Sequence, residues 1–291
     1  MTSTALPSRM GVYGGGRMGA GIAHAFLLAG AEVTVVEVDA DAARITRETV
    51  VRSLVKAVER GALSGPVDEV VERLRAVADP EELADCDLVV EAVPEDLGLK
   101  VEVLTAVERI APGAVLASNT SALSIDRIAG SLAKADRFLG LHFFNPVPAS
   151  ELVEIVVGAR TAPDLTEVAQ DWVRALGKTP ITVTDSPGFA SSRLGVALAV
   201  EAIRMLEDGV ATAADIDAAM TLGYKHPAGP LRTTDIVGLD VRLAIAEHLA
   251  AELGARFEPP TLLRQKVAAG ELGRKTGQGF YEWDRAGVVE S

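Results

Sequence analysis

The pattern of apolar and polar positions changes character partway along the chain. Up to about residue 186, short apolar or β-branched runs alternate with stretches whose apolar positions recur at helical spacing. Val33-Thr34-Val35-Val36 is the clearest strand, lacking the polar alternation of a sheet with one wet face. Residues 11–13, 87–90, 115–117, 138–141 and 181–183 are further strand candidates, and 152–157 is another β-rich run. Residues 18–29, 40–60, 97–110 and 165–176 read as helices. After Thr184-Asp185-Ser186-Pro187-Gly188 the strand signal ends, and 194–206, 215–222, 239–253 and 262–269 read as helices, with Thr212 and Asp215 as a capping pair and Gly223 as a stop. The expectation is an α/β chain: a mostly parallel sheet domain over residues 1–186, then an all-helical domain over 187–291.

The chain has 291 residues, 48% hydrophobic and 24% charged, an ordinary globular composition. With 28 Lys plus Arg against 41 Asp plus Glu, the net charge is −13, which argues against nucleic acid or an anionic membrane as partner. It does not exclude a small anionic ligand held by backbone dipoles. No apolar stretch approaches the roughly 20 residues needed to span a bilayer. The single cysteine, Cys86, allows neither an intrachain disulfide nor a zinc cluster by itself. Residues 1–9 are short and polar, leaving no room for a signal peptide before the first strand. A reducing, cytoplasmic setting is expected, and no metal site is expected.

Gly14-Gly15-Gly16-Arg17-Met18-Gly19 matches G-x-G-x-x-G, with a strand before it and a helix after it. Gly14 permits the tight turn, Gly16 lets the backbone approach a pyrophosphate, and Gly19 lets the helix pack on the sheet, as in a Rossmann-type domain. Glu37 ends the second strand, where a carboxylate accepts hydrogen bonds from a ribose diol and repels a 2′-phosphate. The reading is NAD rather than NADP, although Arg44 and Arg47 lie not far along the chain. FAD uses a similar turn but needs further segments not seen here.

Of four histidines, only His142, within Leu141-His142-Phe143-Phe144-Asn145-Pro146-Val147-Pro148, follows a strand of the sheet domain. Glu154 lies 12 residues on, and a hairpin-like return would bring its carboxylate to the imidazole, fixing the tautomer and stabilising the imidazolium. From the residues alone, a structural histidine and a catalytic one stand equally. His24, His226 and His248 read as structural or solvated.

Together, Gly14 to Gly19, Glu91-Ala92-Val93-Pro94-Glu95, Ser118-Asn119-Thr120-Ser121, His142 to Pro148, and Lys275-Thr276-Gly277-Gln278-Gly279-Phe280-Tyr281 resemble the 3-hydroxyacyl-CoA dehydrogenase family, in particular its short bacterial 3-hydroxybutyryl-CoA members. The likeness runs over residues 9–283. It implies that His142 is the general base or acid, that Glu154 holds it, and that Ser121 bonds the substrate near the nicotinamide. It further implies cofactor contacts from the glycine turn (Gly14, Gly16, Arg17, Met18, Gly19), Glu37, Ala92, Glu95, Lys100, Asn145 and Lys275. Without the resemblance, Glu95 and Lys100 read as a solvated helix start and Lys275 as an exposed loop lysine. Ser53 and Arg60 fall where the family meets the CoA part of its substrate, and the basic helix carrying Arg44, Arg47, Arg52, Lys56 and Arg60 suits nucleotide phosphates or a phosphopantetheine carrier. As in the family, the helical domain is expected to form a homodimer interface.

One position departs from the family. Ser192 stands where an asparagine usually precedes Arg193 and helps hold the catalytic histidine and the substrate carbonyl. Losing a preorganised donor to a developing oxyanion costs about 10²–10³ in rate, so Ser192 bears on substrate identity. The leading expectation is NAD-dependent oxidation of a 3-hydroxyacyl-CoA thioester. An acyl-carrier-protein-bound hydroxyacyl unit, such as a glyceryl group, is the alternative, and a non-catalytic NAD-binding protein is a remote third.

Overall fold

The computed structural model describes residues 6–284 and residue 287. Residues 1–5, part of the short polar N-terminus considered above, lie outside the described residues. The chain divides into two compact units after Asp185. Among the described residues no helix is long and apolar enough to cross a membrane.

The first unit is built on an eight-stranded sheet. In chain order it contains β1 (Arg9–Tyr13), α1 (Arg17–Leu28), β2 (Glu32–Val36), α2 (Ala40–Glu59), α3 (Val67–Val71), β3 (Leu74–Val77), β4 (Leu88–Glu91), α4 (Leu97–Ile110), β5 (Val115–Ser118), α5 (Ile125–Ala129), β6 (Phe138–Phe143), β7 (Leu152–Val157), α6 (Pro163–Ala175) and β8 (Thr179–Thr184). The strand order is β3-β2-β1-β4-β5-β6-β7-β8. Every neighbouring pair is parallel except β6 and β7. Leu88, Val89 and Val90 of β4, like most of β1 and β2, are buried on both faces, which explains their unbroken apolar sequence. The carboxyl ends of β1, β4, β5 and β6 therefore open on one edge of the sheet, and the chain reverses its strand order between β1 and β4. Ligands of open α/β sheets bind at such a switch point.

Several elements lie outside the periodic stretches of the sequence. Strand β3 and helices α3 and α5 fall in stretches to which the periodicity assigns no element. β3 is an edge strand of four residues with an exposed arginine, a pattern too short and too charged to stand out. Helix α1 carries a buried His24, 2% exposed, whose Nδ1 has no hydrogen-bond partner.

The second unit contains α7 (Ser191–Glu207), α8 (Ala213–Gly223), α9 (Pro230–Val237), α10 (Leu239–Leu253) and α11 (Thr261–Ala268), with isolated bridges at Gly273, Gln278 and Glu282. Thr212 caps α8, its hydroxyl accepting from the Asp215 amide at 3.2 Å and donating to the Asp215 carboxylate at 2.7 Å. Two buried aspartates organise the rest. Asp217 accepts from the Leu231 and Arg232 amides at 2.8 and 2.9 Å, capping α9 from another helix, and from the Tyr281 hydroxyl at 2.8 Å. Asp235 accepts from the Phe280 and Tyr281 amides, both at 2.9 Å, and from the Trp283 indole at 2.8 Å. Gly279 is required there because a Cβ would lie 2.3 Å from the Asp235 carboxylate.

Burial, with the Lys178 charge added, presses His24 down from 6.5 to about 4. Below pH 6.5 the unfolded chain binds a proton on this imidazole that the folded chain refuses until about pH 4. Stability is therefore lost as pH falls through that window, by up to roughly 3 kcal/mol for this group. Urea unfolding at pH 7 and pH 5 should show a smaller loss in His24→Leu than in the unchanged protein; equal losses would exclude this residue as the cause.

Candidate active site

The glycine turn links β1 to α1. Gly14 has φ 95°, a left-handed conformation that favours glycine. A Cβ on Gly19 would lie 1.8 Å from the Gly14 carbonyl oxygen, so turn and helix approach too closely for any other residue. Gly16 differs: nothing lies within 4 Å of its Cβ position, and no side chain caps α1 at this N-cap. The turn thus leaves space, and the positive end of a helix dipole, for a pyrophosphate.

Glu37, just beyond β2, faces this turn. Its Oε1 accepts from the Gly15 amide at 2.8 Å and from the Thr46 hydroxyl at 3.1 Å. Of the two basic residues that left NADP open, Arg47 donates to the Leu74 carbonyl at 2.8 Å and Arg44 pairs with Glu48 at 2.8 Å. Both are committed elsewhere, while a carboxylate holds the position a 2′-phosphate would need. These residues fit NAD.

At the ends of β4 and β5 a buried charge cluster supports the next part of the site. Glu91 is fully buried, and its carboxylate accepts from the Lys100 ammonium at 2.7 Å, the Val93 amide at 2.7 Å and the Ser118 hydroxyl at 2.6 Å. Strand register explains the last contact, since Glu91 and Ser118 are paired neighbours on β4 and β5. Burial pushes the Glu91 carboxyl up, and the Lys100 charge and hydrogen bonds oppose it. Lys100 also lies 3.4 Å from Oε2 of Glu95. Oε1 of Glu95 gathers the Thr120 hydroxyl at 2.6 Å, the Ser121 amide at 2.9 Å and the Ser121 hydroxyl at 3.2 Å. Burial alone would raise Glu95; Lys100 and these donors outweigh it and hold the carboxyl below its usual range.

The reading of Lys100 as part of a solvated helix start is corrected here. It is 1% exposed, and its ammonium is divided among Glu91, the Val93 carbonyl and Glu95. In this arrangement it acts on Glu95, and through it on Ser121. Ala92 is half-buried between the two acids.

His142 is the fifth residue of β6, and Glu154 is its directly paired neighbour on β7. The hairpin brings Nδ1 of His142 to 2.7 Å from Oε2 of Glu154, with His142 6% exposed and Glu154 fully buried. A carboxylate only accepts, so Nδ1 donates, and in the neutral imidazole it is Nε2 that carries the lone pair. The Phe144 ring stands 4.4 Å from the imidazole, tilted by 45°. The Phe143 amide donates to Asn119 Oδ1 at 2.9 Å, tying the end of β6 to the loop after β5. Asn145 is exposed in the loop between β6 and β7.

That loop is held from below by a residue not singled out in the sequence. Lys178 donates to the Val147 and Ser150 carbonyls at 2.7 and 2.5 Å. Val147 packs over Gly21 of α1, where a Cβ would come within 2.8 Å of it. No local signal marks Lys178, because its acceptors lie 31 and 28 residues away and are backbone atoms. Glu91 and Thr120 stood in quoted motifs without a role; an acid closing the apolar run Leu88-Val89-Val90 was the available clue.

The remaining predicted positions are placed within their own units. Ser53 is half-buried on α2, and Arg60 is exposed just beyond its end. In the helical unit Ser192 occupies the first turn of α7, and Lys275 is paired with both carboxylate oxygens of Asp240 at 2.6 Å.

A glycine turn with open space at its centre and an acid facing it from just beyond the next strand define a dinucleotide-binding domain. Comparison with known families matches residues 9–186 to the NAD binding domain of 3-hydroxyacyl-CoA dehydrogenase and residues 188–283 to its C-terminal domain. The chain belongs to this family and is an NAD-dependent oxidoreductase. It is 42% identical to the 3-hydroxybutyryl-CoA dehydrogenase of Mycobacterium tuberculosis over 282 residues, covering 94% of this chain and 98% of that protein. The crystal structure of FadB2 from M. tuberculosis matches with a TM-score of 0.92 at 40% identity, covering 96% of this chain and 100% of that one. (S)-3-Hydroxybutyryl-CoA dehydrogenase PaaH1 from Ralstonia eutropha matches with a TM-score of 0.91 at 38% identity, covering 96% and 100%.

Lys100→Met would strand the Glu91 carboxylate without a counter-charge. Denaturant unfolding should then show a loss of about 3–5 kcal/mol, the usual effect of breaking a buried pair from one side; a loss below 1 kcal/mol would mean that Lys100 does not neutralise Glu91.

Proposed function

We propose that the protein interconverts a 3-hydroxyacyl-CoA thioester of 3-hydroxybutyryl size and its 3-oxoacyl counterpart, with His142 as general base and acid. The observation that carries this reading is the His142–Glu154 contact of 2.7 Å on a carboxyl-edge strand of a dinucleotide-binding sheet. Glu154 holds the imidazole by Nδ1 and presents Nε2. As oxidation begins, Nε2 takes the proton of the substrate's 3-hydroxyl while the hydrogen on C3 departs with its electron pair. NAD, when bound, supplies the acceptor for that hydride. The O–H and C3–H bonds break, the C=O double bond forms, and the imidazolium is stabilised by Glu154 until it releases its proton. In the reverse direction the imidazolium protonates the developing alkoxide. Ser121, whose single hydroxyl proton rests on Glu95 in this structure, exchanges that acceptor for the substrate oxygen. Asn145, Ser192 and Lys275 serve substrate or cofactor as the family resemblance implies, and the glycine turn with Glu37 binds the adenosine half of NAD.

A carrier-protein thioester is the second reading. It is favoured by the exposed Arg52, Lys56 and Arg60 on and beyond α2, and turnover of matched CoA and carrier thioesters separates the two. The exposed Leu194, Leu198, Ile236, Val237 and Val241 support self-association of the helical unit, which sedimentation velocity would report as a dimer. A cytoplasmic location is consistent with the unpaired, buried Cys86.

With acetoacetyl-CoA the protein should consume NADH. His142→Gln should lower kcat at least ~10²-fold with the protein still folded and binding NADH. A rate unchanged by that substitution would remove His142 from the reaction.

A further inference from the structure

Helix α2 buries one stripe of side chains: Ala43, Thr46, Val50, Leu54 and Ala57, spaced by three or four residues. Four of the five are apolar. Thr46, 3% exposed, is the one that brings a hydroxyl into the stripe. A buried hydroxyl is costly unless it is hydrogen-bonded, and valine would fill the same space without that demand. The partners of Thr46 therefore bear on why a hydroxyl stands here.

Both partners belong to the dinucleotide turn. Oγ1 of Thr46 lies 3.1 Å from the Gly15 carbonyl oxygen and 3.1 Å from Oε1 of Glu37. The hydroxyl has a single proton, so it donates to one of them at a time. The carboxylate is the charged acceptor, and charge-assisted hydrogen bonds are the stronger kind. Oε1 also accepts from the Gly15 amide at 2.8 Å. This oxygen is thus filled from within the protein. Oε2 is met by the Val38 amide at 3.3 Å and is the oxygen left to accept from a ribose diol.

The position of Thr46 is itself fixed on both sides along α2. Asp39 caps the helix through the Ala42 amide at 2.8 Å, and Arg47 donates to the Leu74 carbonyl of β3 at 2.8 Å. The close approach reaches back into the turn, where a Cβ on Gly15 would lie 2.5 Å from Thr46 Oγ1 and 2.9 Å from Glu37 Oε1. The G-x-G-x-x-G pattern leaves this position free; here Thr46 and Glu37 occupy the space a side chain would need.

We propose that Thr46 is a positioning residue for cofactor choice: its hydroxyl latches the Glu37 carboxylate against the glycine turn and so sets the preference for NAD over NADP. The proposal rests on the reading above that Glu37 meets the adenosine ribose. Unlatched, the long glutamate side chain spends part of its time swung away from the turn. There it neither accepts from a ribose diol nor repels a 2′-phosphate. Removing the hydroxyl therefore weakens NADH and spares NADPH.

Calorimetric titration of the full chain with NADH and with NADPH tests this in Thr46→Val, Thr46→Ser, Glu37→Ala and the Thr46→Val, Glu37→Ala double variant. Thr46→Val should weaken NADH at least ~5-fold, as one lost hydrogen bond does, and leave NADPH no weaker. Thr46→Ser keeps the hydroxyl and should keep the preference of the unchanged protein. A turn that is merely loosened would weaken both cofactors equally; that result, or a preference unaltered by Thr46→Val, would overturn the latch. Once Glu37 is replaced by alanine, Thr46→Val should alter the preference no further, and a further fall would mean that Thr46 acts by another route. If Glu37→Ala leaves the preference intact, the ribose acid is misassigned and the latch falls with it. Loss of preference in Glu37→Ala but not in Thr46→Val rejects the latch alone.

Discussion

The reversal of direction between β6 and β7 is the constraint on which the site depends. In a parallel pair of strands the chain must travel through a crossover before returning, and neighbouring side chains come from distant segments. The antiparallel return of β7 instead sets Glu154 directly opposite His142 with only a loop between them. Both groups are then buried in a sheet interior flanked by Val153 and Ile155, where a lone carboxylate would be strongly disfavoured. The hydrogen bond to the imidazole offsets that cost and fixes the ring. Strand β8 continues the sheet beyond β7, so Glu154 sits inside the sheet and not on an edge open to water.

The same edge carries a second charge arrangement, with one ammonium between two carboxylates. Lys100 neutralises the deeply buried Glu91 and still reaches Glu95. Glu95 in turn collects donors from the loop after β5. The result is a relay of fixed charges from the floor of the sheet to the Ser121 hydroxyl.

Much of this was legible in residue order. The glycine turn announced itself by spacing, Glu37 by ending an apolar strand, and the His142–Glu154 hairpin by two β-rich runs separated by a Pro-rich loop. The family resemblance supplied Ser121, Glu95 and Lys100, and the geometry supplied the relation among them. What stayed hidden has a common cause. Lys100 looks like an ordinary helix-start lysine because its burial comes from β4 and β5, not from its own helix. Helix α9 was missed because its sequence, with Pro230 and two threonines, is a poor helix former and takes its cap from Asp217 on α8.

The grip of Lys178 on the loop between β6 and β7 has a consequence for how this segment can drift. Both acceptors are carbonyl oxygens, which every amino acid offers, so the clamp does not depend on which side chains occupy positions 147 and 150. The side chains of Ala149 and Ser150, exposed and half-buried, take no part in the anchor, whereas Val147 is fixed from the other side by its contact with Gly21. The hold on this loop is thus indifferent to side-chain identity at Ala149 and Ser150 and exacting at Val147, so the segment is gripped by its main chain and seated by a single side chain.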